Sequence, residues 1–178
     1  VKKLRDQTGA GMMDCKRALE ESNGDVEAAT EYLRKKGAAV AAKRADREAN
    51  QGVVEAYIHA GGRIGAMVEL NCETDFVAKT DEFRQLAHDI AMQIAAMTPL
   101  FVSKEDVDQV TLQKEIEIYK AQAVNEGKPE QIAEKIAQGR LEKYYQEVCL
   151  LEQSFIKDSG KTIKDLLSDA TGKVGEKI

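Results

Sequence analysis

The strongest constraint on this chain is a switch in hydrophobic period between its N-terminal third and its centre. Val54, Ala56 and Ile58 alternate with Glu55, Tyr57 and His59, and Ile64, Ala66, Val68, Leu70 and Cys72 alternate again after Ala60-Gly61-Gly62-Arg63. Two period-2 runs around a short Gly-containing loop predict a β-hairpin. Asp81 and Glu82 then load the positive end of a helix whose apolar stripe is Phe83, Leu86, Ala87, Ile90, Ala91 and Ile94. That helix is expected to pack on one face of the hairpin.

Before the hairpin the period is helical. Leu4 lies in a first short helix broken at Thr8-Gly9. Met12, Met13, Cys15, Ala18 and Leu19 form the apolar side of a second, which stops at Asn23-Gly24. Asp25 is a natural N-cap, since its carboxylate can accept orphan backbone N–H groups. Val26, Ala29, Tyr32 and Leu33 share one helical face, with Gly37 as the expected terminator. Residues 1–37 thus read as a three-helix module. Residues 38–52 read as a basic linker, and 53–178 as an antiparallel β-sheet core with packed helices. The fold class is α+β.

Within that core Phe101-Val102 reads as a short strand and Ser103-x-x-Asp106 as a capping box. Leu112, Ile116, Tyr119 and Ala123 make a narrow stripe answered by Ile132, Ile136, Leu141 and Tyr144, the seam of a helical hairpin over about residues 111–148. Pro129 suits the first position of its second arm. Such a seam usually packs within one chain, although it could also serve a homodimer. Val174, Glu176 and Ile178 alternate after Thr171-Gly172, which suggests the start of a strand.

Composition excludes several function classes. The chain carries 26 Lys and Arg against 31 Asp and Glu, a net charge of −5, which argues against a general nucleic-acid binder. Residues 1–50 are locally basic, with Arg34, Lys35, Lys36, Lys43, Arg44 and Arg47 opposed nearby only by Asp46 and Glu48; such a run usually marks a solvated helix face. No apolar run approaches a membrane span and no signal peptide opens the chain, although a removed targeting segment stays compatible with Val1 in first place. Cys15, Cys72 and Cys149 are odd in number and far apart, a pattern of buried thiols in a reducing compartment. With two histidines, His59 and His88, a His-rich metal centre is excluded, and no cofactor is expected.

Ser159-Gly160-Lys161-Thr162 resembles the end of a phosphate-binding loop, but the first glycine of that motif falls on Phe155. Thr162-x-x-Asp165 reads better as a capping box before Leu166 and Leu167. His59 and Cys72 lack a third partner for a nucleophile–base–orienter set, and His88 reads as a surface residue. The chain is therefore not expected to be an enzyme. The informative segment is Asn71-Cys72-Glu73-Thr74-Asp75-Phe76-Val77-Ala78, which joins the second strand to the amphipathic helix. On residue type alone Phe76 is a core staple and Asp75 a turn or cap residue.

Three strings together carry a resemblance: Leu4-Arg5-x-x-Thr8-Gly9-Ala10-Gly11-Met12-Met13-Asp14-Cys15-Lys16, Asn23-Gly24-Asp25, and Asn71-Cys72-x-Thr74-Asp75-Phe76-Val77. With Gly62-Arg63-Ile64-Gly65 and Gly127-Lys128-Pro129, they make the chain similar to the translation elongation factor Ts family, in a short form with a single core. The resemblance implies a ubiquitin-associated-like N-terminal module and a dimerisation-type core. It implies a guanine-nucleotide exchange factor that binds the GTPase elongation factor Tu in its GDP form and promotes GDP release. In that reading Asp75 and Phe76, flanked by Thr74 and Val77, intrude beside the partner's magnesium and phosphate site. Met12, Met13 and Lys16 meet the partner's G domain, and Arg63, Ile64 and Gly65 lie near the partner. No direct nucleotide, nucleic-acid or membrane binding is expected. Localisation would be the bacterial cytoplasm, or an organellar stroma or matrix. The alternative is a ubiquitin-associated-type adaptor without exchange activity, which would have no use for Thr74-Asp75-Phe76-Val77.

Overall fold

The computed structural model describes residues 1–178 and divides into two compact units, Val1–Ala91 with Asp165–Ile178, and Met92–Lys164. The first unit opens with helices α1 (Lys2–Thr8), α2 (Met12–Glu21) and α3 (Val26–Arg44). Asp25 caps α3 as expected, its Oδ1 accepting from the Glu27 N–H at 2.8 Å and the Ala28 N–H at 3.0 Å. Leu4, Cys15, Ala18 and Ala29 form a buried cluster of their own, with Leu19, Val26, Tyr32 and Leu33 packed on it.

Gly37 does not terminate α3, which runs on to Arg44 through much of the expected linker. The glycine serves packing instead. A Cβ built on Gly172, in helix α8 (Ile163–Val174), would lie 2.6 Å from the Gly37 Cα, so the two backbones touch where neither residue has a side chain. A glycine in a helix interior is a weak stop signal when a neighbouring helix needs the space.

Strands β1 (Gln51–Ile58) and β2 (Gly65–Cys72) form the expected antiparallel hairpin, in register Gln51 to Cys72 and Ile58 to Gly65. Residues paired across the ladder share a face. Val53, Glu55 and Tyr57 therefore lie with Ala66, Val68, Leu70 and Cys72 on the more buried face. The apolar phase of β1 faces out: Val54 is 69% and Ile58 67% exposed, beside Met67 at 75%. After the one-turn helix α4 (Asp75–Ala78), α5 (Asp81–Met97) buries Phe83, Ala87, Ile90 and Ala91. His88 is not a bare surface residue: its Nδ1 lies 3.1 Å from Glu55 Oε1, and its ring meets Tyr57 edge-on at 5.6 Å, which places α5 on the inner face.

The alternation of Val174, Glu176 and Ile178 does not make a strand here. Thr171 and Gly172 continue α8 to Val174, Gly175 turns the chain at φ 72°, and a non-helical tail follows. The helical period of Ile163–Val174 overrides a three-residue alternation.

In the second unit, helices α6 (Gln109–Asn125) and α7 (Glu130–Val148) form the helical hairpin. Leu112 and Ala123 are buried on α6 as expected. On α7 the seam is carried by Ala133 and Ala137, both fully buried, while Ile132 is exposed; small residues let the arms approach closely. Pro129 takes the N-cap of α7, one residue before the expected position. Phe101 makes a single bridge to Cys149 rather than a strand, and Asp106 Oδ2 accepts from the Ser103 N–H at 2.8 Å, completing the capping box on a 3-10 turn, Lys104–Asp106. Strand β3 (Ser154–Phe155) pairs with β4 (Asp158–Thr162), so Ser159-Gly160-Lys161-Thr162 lies in a small hairpin. There the Gly160 N–H donates to Asp158 Oδ1 at 3.1 Å.

All three cysteines are free and buried. No helix is long and apolar enough to cross a membrane. The architecture is α+β, mostly helical with two small antiparallel sheets.

Candidate functional site

The segment after β2 is held by hydrogen bonds at the Glu73 side chain and at Thr74. Glu73 points back toward the α3 end, where its Oε1 accepts from Arg44 Nη1 at 2.7 Å and its Oε2 from Arg47 Nη1 at 3.0 Å. The same Oε1 accepts the Lys177 backbone N–H at 2.7 Å. These donors, the Lys177 N–H foremost, lower the Glu73 pKa to about 2. Lys177 Nζ in turn donates to the carbonyls of Ala45 at 2.6 Å and Arg47 at 2.8 Å.

Thr74 is fixed just as fully. Glu176 Oε2 accepts from its backbone N–H at 3.0 Å and Oε1 from its hydroxyl at 2.7 Å. Its carbonyl accepts from Cys72 Sγ at 3.1 Å and from the Ala78 N–H at 3.3 Å. Burial raises the Cys72 pKa, so this thiol stays protonated and able to donate. Thr74 is the N-cap residue of α4, with extended backbone at φ −128°.

On this footing Phe76 stands out of the surface at 80% exposure, against 5% for Ala78. Phe76 is therefore not a core staple: Ala78 fills the inward position of the turn, and the large ring is left outside. Asp75 is half-exposed beside it and pairs with Lys79 Nζ at 2.6 Å, whose hydrogen bond and charge hold the carboxyl below the usual aspartate range. Val77 is half-buried.

The other expected site residues sit elsewhere. Met12, Met13 and Lys16 are exposed on α2, with Lys16 Nζ 3.7 Å from Glu20. Arg63, Ile64 and Gly65 are exposed at the hairpin tip, where the His59 N–H donates to the Ile64 carbonyl at 2.8 Å. They lie at the opposite end of β2 from Thr74, roughly 25 Å away at about 3.3 Å per residue. The structure thus gathers Thr74–Val77 into one fixed projection and places the hairpin tip apart from it.

Glu73, Glu176, Lys177, Arg44 and Arg47 were not picked out as site residues by sequence. The two arginines lie in the basic run, where the nearby acids are Asp46 and Glu48; their partner Glu73, within the segment itself, and the tail residues Glu176 and Lys177 meet only through the tertiary fold. No group of three or more His, Cys, Asp or Glu side chains converges to hold a metal ion. The arrangement offers a large apolar side chain on a rigid mount, with a carboxylate next to it. Chemically that suits insertion into another macromolecule.

The model of the family described as "Elongation factor TS" matches residues 7–178. The chain is 64% identical over 178 residues to elongation factor Ts of Moorella thermoacetica, covering all of this chain and 88% of the relative. It is 65% identical to that of Carboxydothermus hydrogenoformans, covering 82% of it, and 59% identical to that of Syntrophomonas wolfei, covering 83%. An α+β chain with a helical N-terminal module and these relatives is a translation elongation factor. It belongs to the elongation factor Ts family.

Proposed function

We propose that this chain is a non-enzymatic guanine-nucleotide exchange factor, one that binds elongation factor Tu in its GDP form and speeds release of the nucleotide during protein synthesis. The observation that carries the reading is the exposure of Phe76 on a loop whose backbone is fixed at Thr74. An exposed phenylalanine gains nothing for its own fold, whereas burial in a partner is worth about 1.5–3 kcal/mol. That corresponds to about 10- to 150-fold at about 1.4 kcal/mol per decade. Met12, Met13 and Lys16 supply a second contact, and tethering the two raises effective concentration.

The exchange step in this reading is mechanical. Phe76 enters the partner and displaces the elements that support its magnesium ion, whose charge neutralises the GDP phosphates. Asp75 reaches the phosphate side with its charge balanced by Lys79. Exchange is then linkage: if this chain weakens GDP binding, GDP weakens the binding of this chain by the same factor. The bacterial cytoplasm is the compartment that fits.

Release of a fluorescent GDP from elongation factor Tu, followed with and without this chain, tests the proposal. Acceleration that saturates with concentration supports it. Unchanged release together with binding to ubiquitin-like proteins would instead establish the adaptor.

A further inference from the structure

The tail beyond α8 does more than end a helix. Gly175, in the left-handed region at φ 72°, redirects the chain so that Glu176 reaches Thr74 and Lys177 reaches Glu73. The contacts are reciprocal: the Glu176 carboxylate takes the Thr74 N–H and hydroxyl, and the Glu73 carboxylate takes the Lys177 N–H. Two neighbouring residues on each segment thus clasp two on the other. The Glu176 contact falls on the N-cap residue of α4, whose orientation sets where Phe76 points.

We propose that Glu176 is a positioning residue for exchange: by holding both the N–H and the hydroxyl of Thr74, it presets α4 so that Phe76 is presented to the partner in one orientation. This rests on the exchange reading above. A wedge on a loose turn must be ordered during the encounter, and that ordering opposes insertion. A preset wedge avoids it. Removing Glu176 leaves Phe76 in place and loosens its mount, so the loss appears in the exchange step more than in the first encounter.

The test is a double-mutant cycle in the full chain, with Glu176→Ala, Phe76→Ala and the double variant, reading maximal GDP release rate, half-saturating concentration and melting temperature. Glu176→Ala is expected to lower the maximal rate by about 2- to 150-fold, the range of coupling within one hydrogen-bonded network, with the half-saturating concentration changed far less. In the Phe76→Ala background it should have little further effect. If Glu176→Ala melts early, Glu176→Gln, which keeps the shape and drops the charge, is measured on its folded fraction. Equal losses from Glu176→Ala with and without Phe76, or a normal maximal rate in a folded Glu176 variant, would overturn the inference. A Phe76→Ala protein that exchanges normally would overturn the inference as well, whereas a wild-type chain that leaves GDP release unchanged would instead defeat the underlying exchange reading.

Discussion

Phe76 and Ala78 stand two residues apart on α4 and face opposite ways, 80% and 5% exposed. In a helix a two-residue step turns the side chain by about 200°, so burying one of the pair exposes the other. The smaller residue takes the interior, and the fold keeps its largest apolar group on this turn outside.

Phe76→Ala should therefore leave stability nearly untouched while slowing GDP release. A substitution at such an exposed site stays within about 0.5 kcal/mol, or about 1–2 °C in Tm for a chain of this size. Release catalysed by the variant is expected to fall by about 10- to 150-fold. Thermal melting and exchange kinetics measured on the same preparation check both halves; a melting point lowered by many degrees would return the ring to the core.

The Gly37–Gly172 contact should be lopsided toward mutation. Gly172→Ala puts a methyl 2.6 Å from the Gly37 Cα and forces a backbone to move. Overpacking of this kind costs about 1–3 kcal/mol, read as a Tm drop of about 2–12 °C. Gly37→Ala places its methyl 3.7 Å from the Gly172 Cα, an ordinary contact, and is expected to be neutral or to gain up to about 1 kcal/mol of helix propensity. Differential scanning calorimetry of the two variants distinguishes them directly.

Acid sensitivity should trace to Glu73. Its carboxyl titrates at about 2 in the folded chain against an ordinary 4.5, so protons bind the unfolded state more readily. The stabilisation is fully present above about pH 4.5 and is lost as pH falls toward 2. Urea midpoints taken across that window should decline more steeply for the wild type than for Glu73→Gln, and parallel curves would remove Glu73 as the cause.

On α7 the alanines, and not the isoleucine, should be sensitive. Ala137→Leu forces bulk into a fully buried seam position and is expected to cost about 1–3 kcal/mol. Ile132→Ala, at an exposed position, should stay within about 0.5 kcal/mol. Chemical denaturation of both variants reads the contrast.

What the sequence made legible was local. The β1–β2 hairpin, the α5 stripe and the Asp25 cap each follow from periodicity or cap chemistry within a few residues, and each formed where expected. Gly37 was misleading because its reason for being glycine is Gly172, on another helix. In β1 the more apolar phase turned outward, since alternation gives two faces and the choice depends on which phase of β2 holds Leu70 and Cys72 inward. Ile132 outbid Ala133 and Ala137 on hydrophobicity, yet close approach of two helices selects small residues. The Thr74–Val77 segment could be found from its motif, but its mounting could not: Lys177 and Glu176 reach it from more than a hundred residues away.

The three buried cysteines give the molecule built-in reporters of its own breathing. Cys15 lies in the α1–α3 cluster, Cys72 donates to Thr74 at the base of the Phe76 loop, and Cys149 caps α7. None can react with a thiol reagent while the chain is closed, so each labels only when its surroundings open. Mass spectrometry of timed alkylation would thus yield three separate opening clocks from the unaltered protein. The Cys72 clock, run with and without elongation factor Tu, times the loosening of the loop itself.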